Sequence, residues 1–170
     1  AITATIIDEL ICSEVAVMGI TDRPGTPQNM NLQITPTSSQ NSENTRIEGY
    51  GDQALRIIKY ANVVISRITQ TNFSTEAEKN AVLGTAYFHR AAQYYRLANQ
   101  YGDVPFIGRE IKEPKLDIFT TKREVILRKI KKDMEFASTW CLDNVDRGRV
   151  TKGACAHLLT KINLALGEFD

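Results

Sequence analysis

Two histidines and three cysteines are the side chains best suited to metal binding or nucleophilic catalysis, and their spacing favours neither. His89 and His157 lack the HExxH spacing of a helical zinc site, and no GxSxG, phosphate-loop or dinucleotide motif occurs. The cysteines are scattered along the chain at Cys12, Cys141 and Cys155. We interpret them as small buried residues, with one disulfide plus one free thiol as the alternative. The sequence therefore predicts no catalytic residue, no metal and no cofactor.

Basic side chains cluster in one stretch without predicting a nucleic-acid site. They are Lys122, Arg123, Arg128, Lys129, Lys131 and Lys132. Acidic residues interrupt the cluster, and no aromatic side chains are interleaved to stack on bases. The formal net charge of the chain is only +1, so no global attraction to nucleic acid arises. We expect a solvated helix face and no nucleic-acid partner.

Aromatic rings are the remaining candidates for ligand contact, because the C–H faces of sugars pack on exposed rings. Trp140 is the single tryptophan, and it follows the inward face of a predicted helix. Most tyrosines fall on the longest predicted helix, where two apolar faces indicate packing on both sides. Core or rim packing is therefore favoured over a sugar platform for these rings.

The elements that position these side chains are separated by proline. The five prolines fall in two stretches, and the runs between them are free of proline. We predict one helical domain over residues 1–170, with a first helix within 1–19, a loop region over 20–51 and two helix pairs over 52–167. No stretch approaches the roughly 20 apolar residues that a membrane-spanning helix needs.

Capping signals set the predicted helix bounds. The second helix is clearest over residues 52–69, with Asp52 as one cap and Thr45 with Glu48 as a rival, earlier capping box. The third begins at Ser74 or Thr75 and ends before Gly102. The fourth covers 121–139, and the fifth follows Thr151 and ends at Gly167. The third helix should be central, because it is apolar on two faces. This pattern predicts an all-α fold, a short α-α superhelix of tetratricopeptide-like helix pairs with a long irregular loop after the first helix.

Three ordered blocks of sequence resemble the SusD/RagB family of nutrient-uptake outer-membrane lipoproteins. The blocks are Tyr60-Ala61-Asn62-Val63-Val64-Ile65, then Ala86-Tyr87-Phe88-His89-Arg90-Ala91 through Tyr101-Gly102-Asp103-Val104-Pro105, and finally Gly148-Arg149-Val150-Thr151-Lys152-Gly153-Ala154. Cys155 stands where the family often has alanine. Asn62, Arg90 and the 102–105 turn are interpreted as structural. The resemblance identifies the chain as an N-terminal portion of a longer protein.

The resemblance implies a binding protein and not an enzyme. Family members capture glycans or other nutrients at the cell surface and deliver them to a TonB-dependent, SusC-like outer-membrane transporter. They reach the membrane through a lipid anchor that these residues do not contain. No family motif maps onto the loop, so Asp22, Arg23 and Tyr50 are our predicted ligand contacts. The helix pairs alone equally describe a tetratricopeptide-type scaffold for peptides or proteins, and the many carboxylates leave a helical hydrolase fragment as a third possibility.

Overall fold

A computed structural model describes residues 41–113, 117–143, 146 and 148–168, with the backbone alone for 41–48. The predicted first helix, the loop as far as residue 40, and both Asp22 and Arg23 lie outside the described residues. The chain divides into two compact units, residues 1–53 and 54–170. The prediction of one domain over 1–170 stays a prediction. In the described part of the chain, no helix combines the length and apolarity that crossing a membrane requires.

Helices make up most of the described chain. The elements are α1 (Asn41–Arg67), a 3-10 helix (Ile68–Gln70), α2 (Glu76–Tyr101), β1 (Val104–Pro105), β2 (Thr120–Thr121), α3 (Arg123–Trp140) and α4 (Lys152–Leu166). The strands pair antiparallel with Val104 opposite Thr121. The all-α class predicted from the sequence is confirmed.

Capping residues terminate α2 and α4 as the sequence predicts. The Thr75 hydroxyl accepts a hydrogen bond from the Glu78 N–H at 3.1 Å, and the Glu78 carboxylate accepts one from the Ser74 N–H at 3.1 Å. Gly102 ends α2 at φ 75°, and Gly167 ends α4 at φ 74°, a backbone region that glycine occupies without steric cost. These bounds are confirmed.

The predicted loop region is wrong in its last part. Residues 41–51 fall in that region, but α1 is already helical at Asn41. Glycine within a helix costs only about 1 kcal/mol, so Gly49 and Gly51 do not stop an established helix. The fourth helix was predicted to begin at about residue 121, and α3 begins two residues later at Arg123, after the unpredicted strand β2 of Thr120 and Thr121. Strands of two residues are too short to show the alternating pattern of a strand.

The three helices α2, α3 and α4 form two antiparallel pairs. The start of α2 meets the end of α3, since a Cβ on Gly84 would lie 3.2 Å from the Cys141 Sγ. The end of α2 meets the start of α3, where Arg123 bonds Asn99 at 2.8 Å. Glu168, just beyond α4, pairs with Arg128 near the start of α3 at 3.2 Å. The core lies between these helices.

The position of α2 differs from the prediction in its first half. Ala91, Tyr94 and Ala98 in its second half are fully buried, as expected for a helix packed on both sides. In its first half, the side toward α1 borders an open groove. The helix with the most completely buried stripe is α3, through Ile126, Leu127, Ile130, Met134 and Ala137. The two faces of α2 are therefore both apolar, but only one is packed along its whole length.

Candidate functional site

An apolar groove of about 1020 Å³ separates α1 from the first half of α2. Small side chains of α2 leave its floor open, and residues after α3 close one end. The lining residues are Ile57, Tyr60, Ala61 and Val64 of α1, then Ala77, Glu78, Ala81, Val82, Thr85, Ala86 and His89 of α2, then Leu142, Gly148, Arg149 and Val150. A groove of this size matches the upper range of ligand pockets in proteins.

Few polar groups reach this groove. The Thr85 hydroxyl donates to the Ala81 carbonyl at 3.0 Å, and the Glu78 carboxylate is engaged in capping α2. Desolvation lowers the pKa of His89, so its imidazole is neutral at neutral pH. The Arg149 side chain is exposed and has no hydrogen-bond partner among the described residues, whereas its backbone N–H bonds the Asp146 carbonyl. His89, the Arg149 side chain and the exposed Tyr60 hydroxyl are therefore groups of the described lining that can bond a guest.

The described lining of the groove is suited to binding. Within residues 41–113, 117–143, 146 and 148–168, no cluster of histidine, cysteine and carboxylate side chains could hold a metal ion. No nucleophile in the lining is paired with a general base, since the Thr85 hydroxyl bonds its own helix. Tyr60 is 64% exposed and presents the largest open ring of the lining. These features favour contact with an apolar or sugar-like surface.

A buried polar network lies directly behind the groove. Arg90 bonds both carboxylate oxygens of Asp133 at 2.8 Å, the Asn62 side-chain oxygen at 2.9 Å and the Gly108 carbonyl at 3.0 Å. The Asn62 amide donates to the Ile107 carbonyl at 2.7 Å. One guanidinium thus joins α1, α2, α3 and the segment after β1. The structural interpretation of Asn62 and Arg90 is confirmed.

Burial dominates the electrostatics of this network. Desolvation raises the pKa of Asp133 even though the Arg90 guanidinium faces it. Burial likewise raises the pKa of Tyr94 to about 12, and its hydroxyl accepts a hydrogen bond from the Ile107 N–H at 2.6 Å. Tyr94 therefore stays neutral at physiological pH and serves to fix the segment after β1. The network positions backbone and carries no sign of acid–base chemistry.

Aromatic rings outside the groove form a row along α2 and α3. The Tyr87 and Phe136 centroids are 5.2 Å apart, and Phe136 lies 6.3 Å from Trp140. Arg90 covers the Tyr87 ring at 5.0 Å. Trp140 is 37% exposed at the end of α3, which agrees with packing at the rim of the core. Tyr87 and Phe136 are half-buried, and Trp140 is the most exposed ring of the row.

The basic side chains of α3 are largely engaged by neighbours. Lys122 pairs with Asp103 at 2.7 Å, Arg128 with Glu124 at 2.9 Å, and Lys129 lies over the Phe106 ring at 4.9 Å. This pairing leaves little free positive charge on that face.

The predicted ligand contacts have different outcomes. Asp22 and Arg23 lie outside the described residues, and the Tyr50 side chain is buried with 7% exposure. Their roles stay predictions. Sequence analysis missed Tyr60, which stands in one of the recognised blocks but lies off the buried stripe of α1. Its position opposite that stripe was the one signal that could have indicated an exposed ring.

Comparison with known proteins places this fold and sequence in a recognisable group. A model of SusD-like proteins, described as starch-binding and associating with the outer membrane, matches residues 9–164. A SusD-like protein of Formosa agariphila, P2, is 31% identical over 131 residues, which is 75% of this chain and 26% of that protein. The chain thus spans about a quarter of the length of this relative.

Solved structures show the same fold at lower identity. A SusD superfamily protein from Bacteroides vulgatus superposes with a TM-score of 0.72 at 19% identity, covering 85% of this chain and 30% of that one. A laminarin-binding SusD-like protein superposes with a TM-score of 0.65 at 21% identity, covering 70% of this chain and 26% of that one. The helix arrangement described above is shared with both.

Proposed function

Because this chain belongs to the SusD-like family, we propose that it forms part of a cell-surface protein that captures glycans for uptake. The observation that carries this proposal is the family match, which extends from residue 9 to residue 164. The fold shared with a laminarin-binding protein supports a glycan as the ligand class. The proposed role is binding without turnover, so incubation with a panel of glycans should release no product. Release of a shortened glycan would contradict it.

The groove between α1 and α2 is the proposed seat for a glycan on this part of the protein. The exposed ring of Tyr60 offers a face for sugar C–H groups, and the small side chains of Ala81 and Ala86 leave room beside it. His89 and Arg149 lie within the same lining and can bond sugar hydroxyls. Ring packing plus a few polar contacts is the usual composition of small-ligand sites.

Calorimetric titration of the full-length protein with laminarin and starch oligosaccharides tests this seat. Tyr60→Ala should weaken binding about tenfold, equivalent to about 1.4 kcal/mol. The matched control is Phe119→Ala, which removes a ring that is 81% exposed and outside the groove. If the two variants changed the glycan affinity equally, the groove would not be the binding site. Absence of binding to every glycan tested would defeat the proposed function.

Asp22 and Arg23 remain a second set of proposed contacts, together with Tyr50. Charged groups in a loop can orient sugar hydroxyls, which supports Asp22 and Arg23. Tyr50 lies within α1 and is 7% exposed, so the two charged residues are the ones to test first. Asp22→Asn and Arg23→Gln, titrated in the same way, should each weaken glycan binding with no change in thermal stability. Unaltered affinity in both variants would remove these two residues from the site.

The proposed partner is a TonB-dependent transporter of the outer membrane, and the proposed location is the cell surface, through a lipid anchor. The family description, which names association with the outer membrane, supports the location. The transporter and the lipid anchor are proposed from the resemblance to the SusD/RagB family. Affinity purification of the tagged full-length protein from solubilised outer membranes should recover such a transporter in stoichiometric amount. Recovery of the native protein from the cytoplasmic fraction would contradict this part of the proposal.

A tetratricopeptide-type scaffold for peptides is a second candidate, favoured by the mostly apolar lining of the groove. Val64 and Val82 are exposed on its opposite walls, an arrangement that suits an amphipathic helix or extended peptide. Peptide-array binding that Val82→Asp abolishes, in a protein that binds no glycan, would favour this alternative. Glycan binding unaffected by excess peptide would disfavour it.

A further inference from the structure

Two free cysteines lie side by side where α3 ends and α4 begins. Cys141 is the C-terminal cap of α3 and is 2% exposed, and Cys155 lies in the first turn of α4 and is 0% exposed. Both belong to the hydrophobic core that α2, α3 and α4 share. Their positions in the sequence gave no sign of this proximity.

The backbone between them holds the two thiols together. The Leu142 carbonyl accepts a hydrogen bond from the Lys152 N–H at 3.1 Å, which places the end of α3 against the first turn of α4. Besides burial, the Cys141 thiol contributes to raising the pKa of Cys155, as a close neighbour does. On its other side, Cys141 faces Gly84, whose lack of a side chain leaves the sulfur atom space. The two cysteines therefore lie next to each other within one hydrophobic core.

We propose that Cys141 and Cys155 are joined by a disulfide in the native protein, and that this bond anchors the end wall of the groove. Leu142 and Val150, which line the groove, lie within the loop that the bond would close. The proposal rests on the extracytoplasmic location proposed above, since disulfides persist in such compartments and not in the cytoplasm. It goes beyond glycan binding by naming a covalent feature of the wall.

The bond forms by exchange with the disulfide of a thiol oxidoreductase. The thiolate of one cysteine attacks that disulfide, forming a mixed disulfide and releasing one thiolate of the oxidoreductase. The thiolate of the second cysteine then attacks the mixed disulfide and releases the other. Two electrons pass to the oxidoreductase, and the two protons lost by the cysteines end on its two new thiols. The cysteine pair is oxidised, and the oxidoreductase is reduced.

The environment of the pair determines when this exchange occurs. Burial and the neighbouring Cys141 thiol raise the pKa of Cys155 to about 12, so the folded, reduced pair contains almost no thiolate at that position. Exchange is consequently slow once the core has closed. The bond forms during folding, and a reduced folded protein reacts with alkylating reagents only after it opens.

Disulfide mapping of the full-length protein tests the proposal. Cells are quenched in acid and alkylated, and a non-reducing digest is analysed by mass spectrometry. The expected product is one cross-linked peptide containing Cys141 and Cys155, with Cys12 alkylated. A Cys12→Ser variant should retain the cross-link. Linkage of Cys12 to either residue, or failure of the pair to join under any condition below, would overturn the proposal.

Refolding in a glutathione buffer tests whether the fold allows the disulfide to form, independently of the cellular compartment. Formation of the bond in oxidising buffer, combined with two free thiols in the protein from cells, would show that the geometry permits the bond but would overturn the proposal that the native protein contains it. In the oxidised full-length protein, the bond closes a loop of roughly 15 residues and should raise the melting temperature by a few degrees over the reduced form. Cys155→Ala should abolish this redox-dependent shift, and glycan affinity measured in parallel reports the proposed function separately.

Discussion

A variant without the negative charge of Asp133 should unfold at a markedly lower denaturant concentration than the wild type. Asp133 and Arg90 side chains are 11% and 8% exposed and share two hydrogen bonds of 2.8 Å. Asp133→Asn preserves the shape of the side chain but leaves the Arg90 cation in the core without a counter-charge. The change therefore isolates the electrostatic part of the network.

The magnitude follows from the remaining partners of Arg90. Removing one member of a buried ion pair costs about 3–5 kcal/mol, because the other charge stays buried and uncompensated. The Asn62 oxygen at 2.9 Å and the Gly108 carbonyl at 3.0 Å still accept from the guanidinium. We therefore expect the lower end, about 3 kcal/mol of unfolding free energy.

Urea unfolding followed by far-ultraviolet circular dichroism measures this loss. Glu124→Gln is the control, because it removes a carboxylate from the same helix. The partner of Glu124 is Arg128, which is exposed, so this variant should leave the urea midpoint nearly unchanged. The double variant Arg90→Met with Asp133→Leu should be more stable than Asp133→Leu alone, because no uncompensated charge remains. A loss below about 1 kcal/mol for Asp133→Asn would refute the reasoning.

Other expectations concern close packing, charge and burial. Gly84→Val should destabilise the chain by about 1–3 kcal/mol in urea, since its Cβ would lie 3.4 Å from the Ala137 backbone. Gly153→Ala, with no neighbour closer than 3.8 Å, should stabilise the chain by about 0.5–1 kcal/mol. If Gly153→Ala were less stable than Gly84→Val, the packing described around these two glycines would be contradicted. Ile130→Ala should cost about 2–5 kcal/mol, and a loss well below that range would mean that the core collapses around the cavity. The Lys122 hydrogen bond lowers the pKa of Asp103 from 3.8, so its contribution is present above that pH and is lost as pH falls through the folded-state pKa. The stability difference between wild type and Asp103→Asn should therefore shrink in acid, and a constant difference would show that the charge is not involved.

Helix ends were predictable where a local signal specifies them. Thr75 with Glu78 satisfies the free N–H groups at the start of α2, and Gly102 supplies the positive φ that ends it. Both effects act within a few residues, so they are visible in sequence alone. The same reasoning succeeded for Thr151 and Gly167.

The groove was not predictable, because helical periodicity reports which face is apolar and not how far away the neighbouring helix lies. Val82 belongs to the apolar surface of α2, yet it is exposed because α1 stands apart from it. The meeting of Cys141 with Cys155 depends similarly on the turn between two helices. Distances between elements come from packing in three dimensions, for which the residue pattern contains no measure.

The single guanidinium shared by three helices sets a limit on the guests that the cleft can accept. Ala61 and His89 line the cleft, and each precedes in sequence a member of the pair Asn62 and Arg90. A guest thick enough to push α1 outward would have to stretch that 2.9 Å bond and expose a buried cation. The hydrogen bond therefore fixes the width of the groove, so slender molecules should enter readily and bulky or branched ones should bind more weakly.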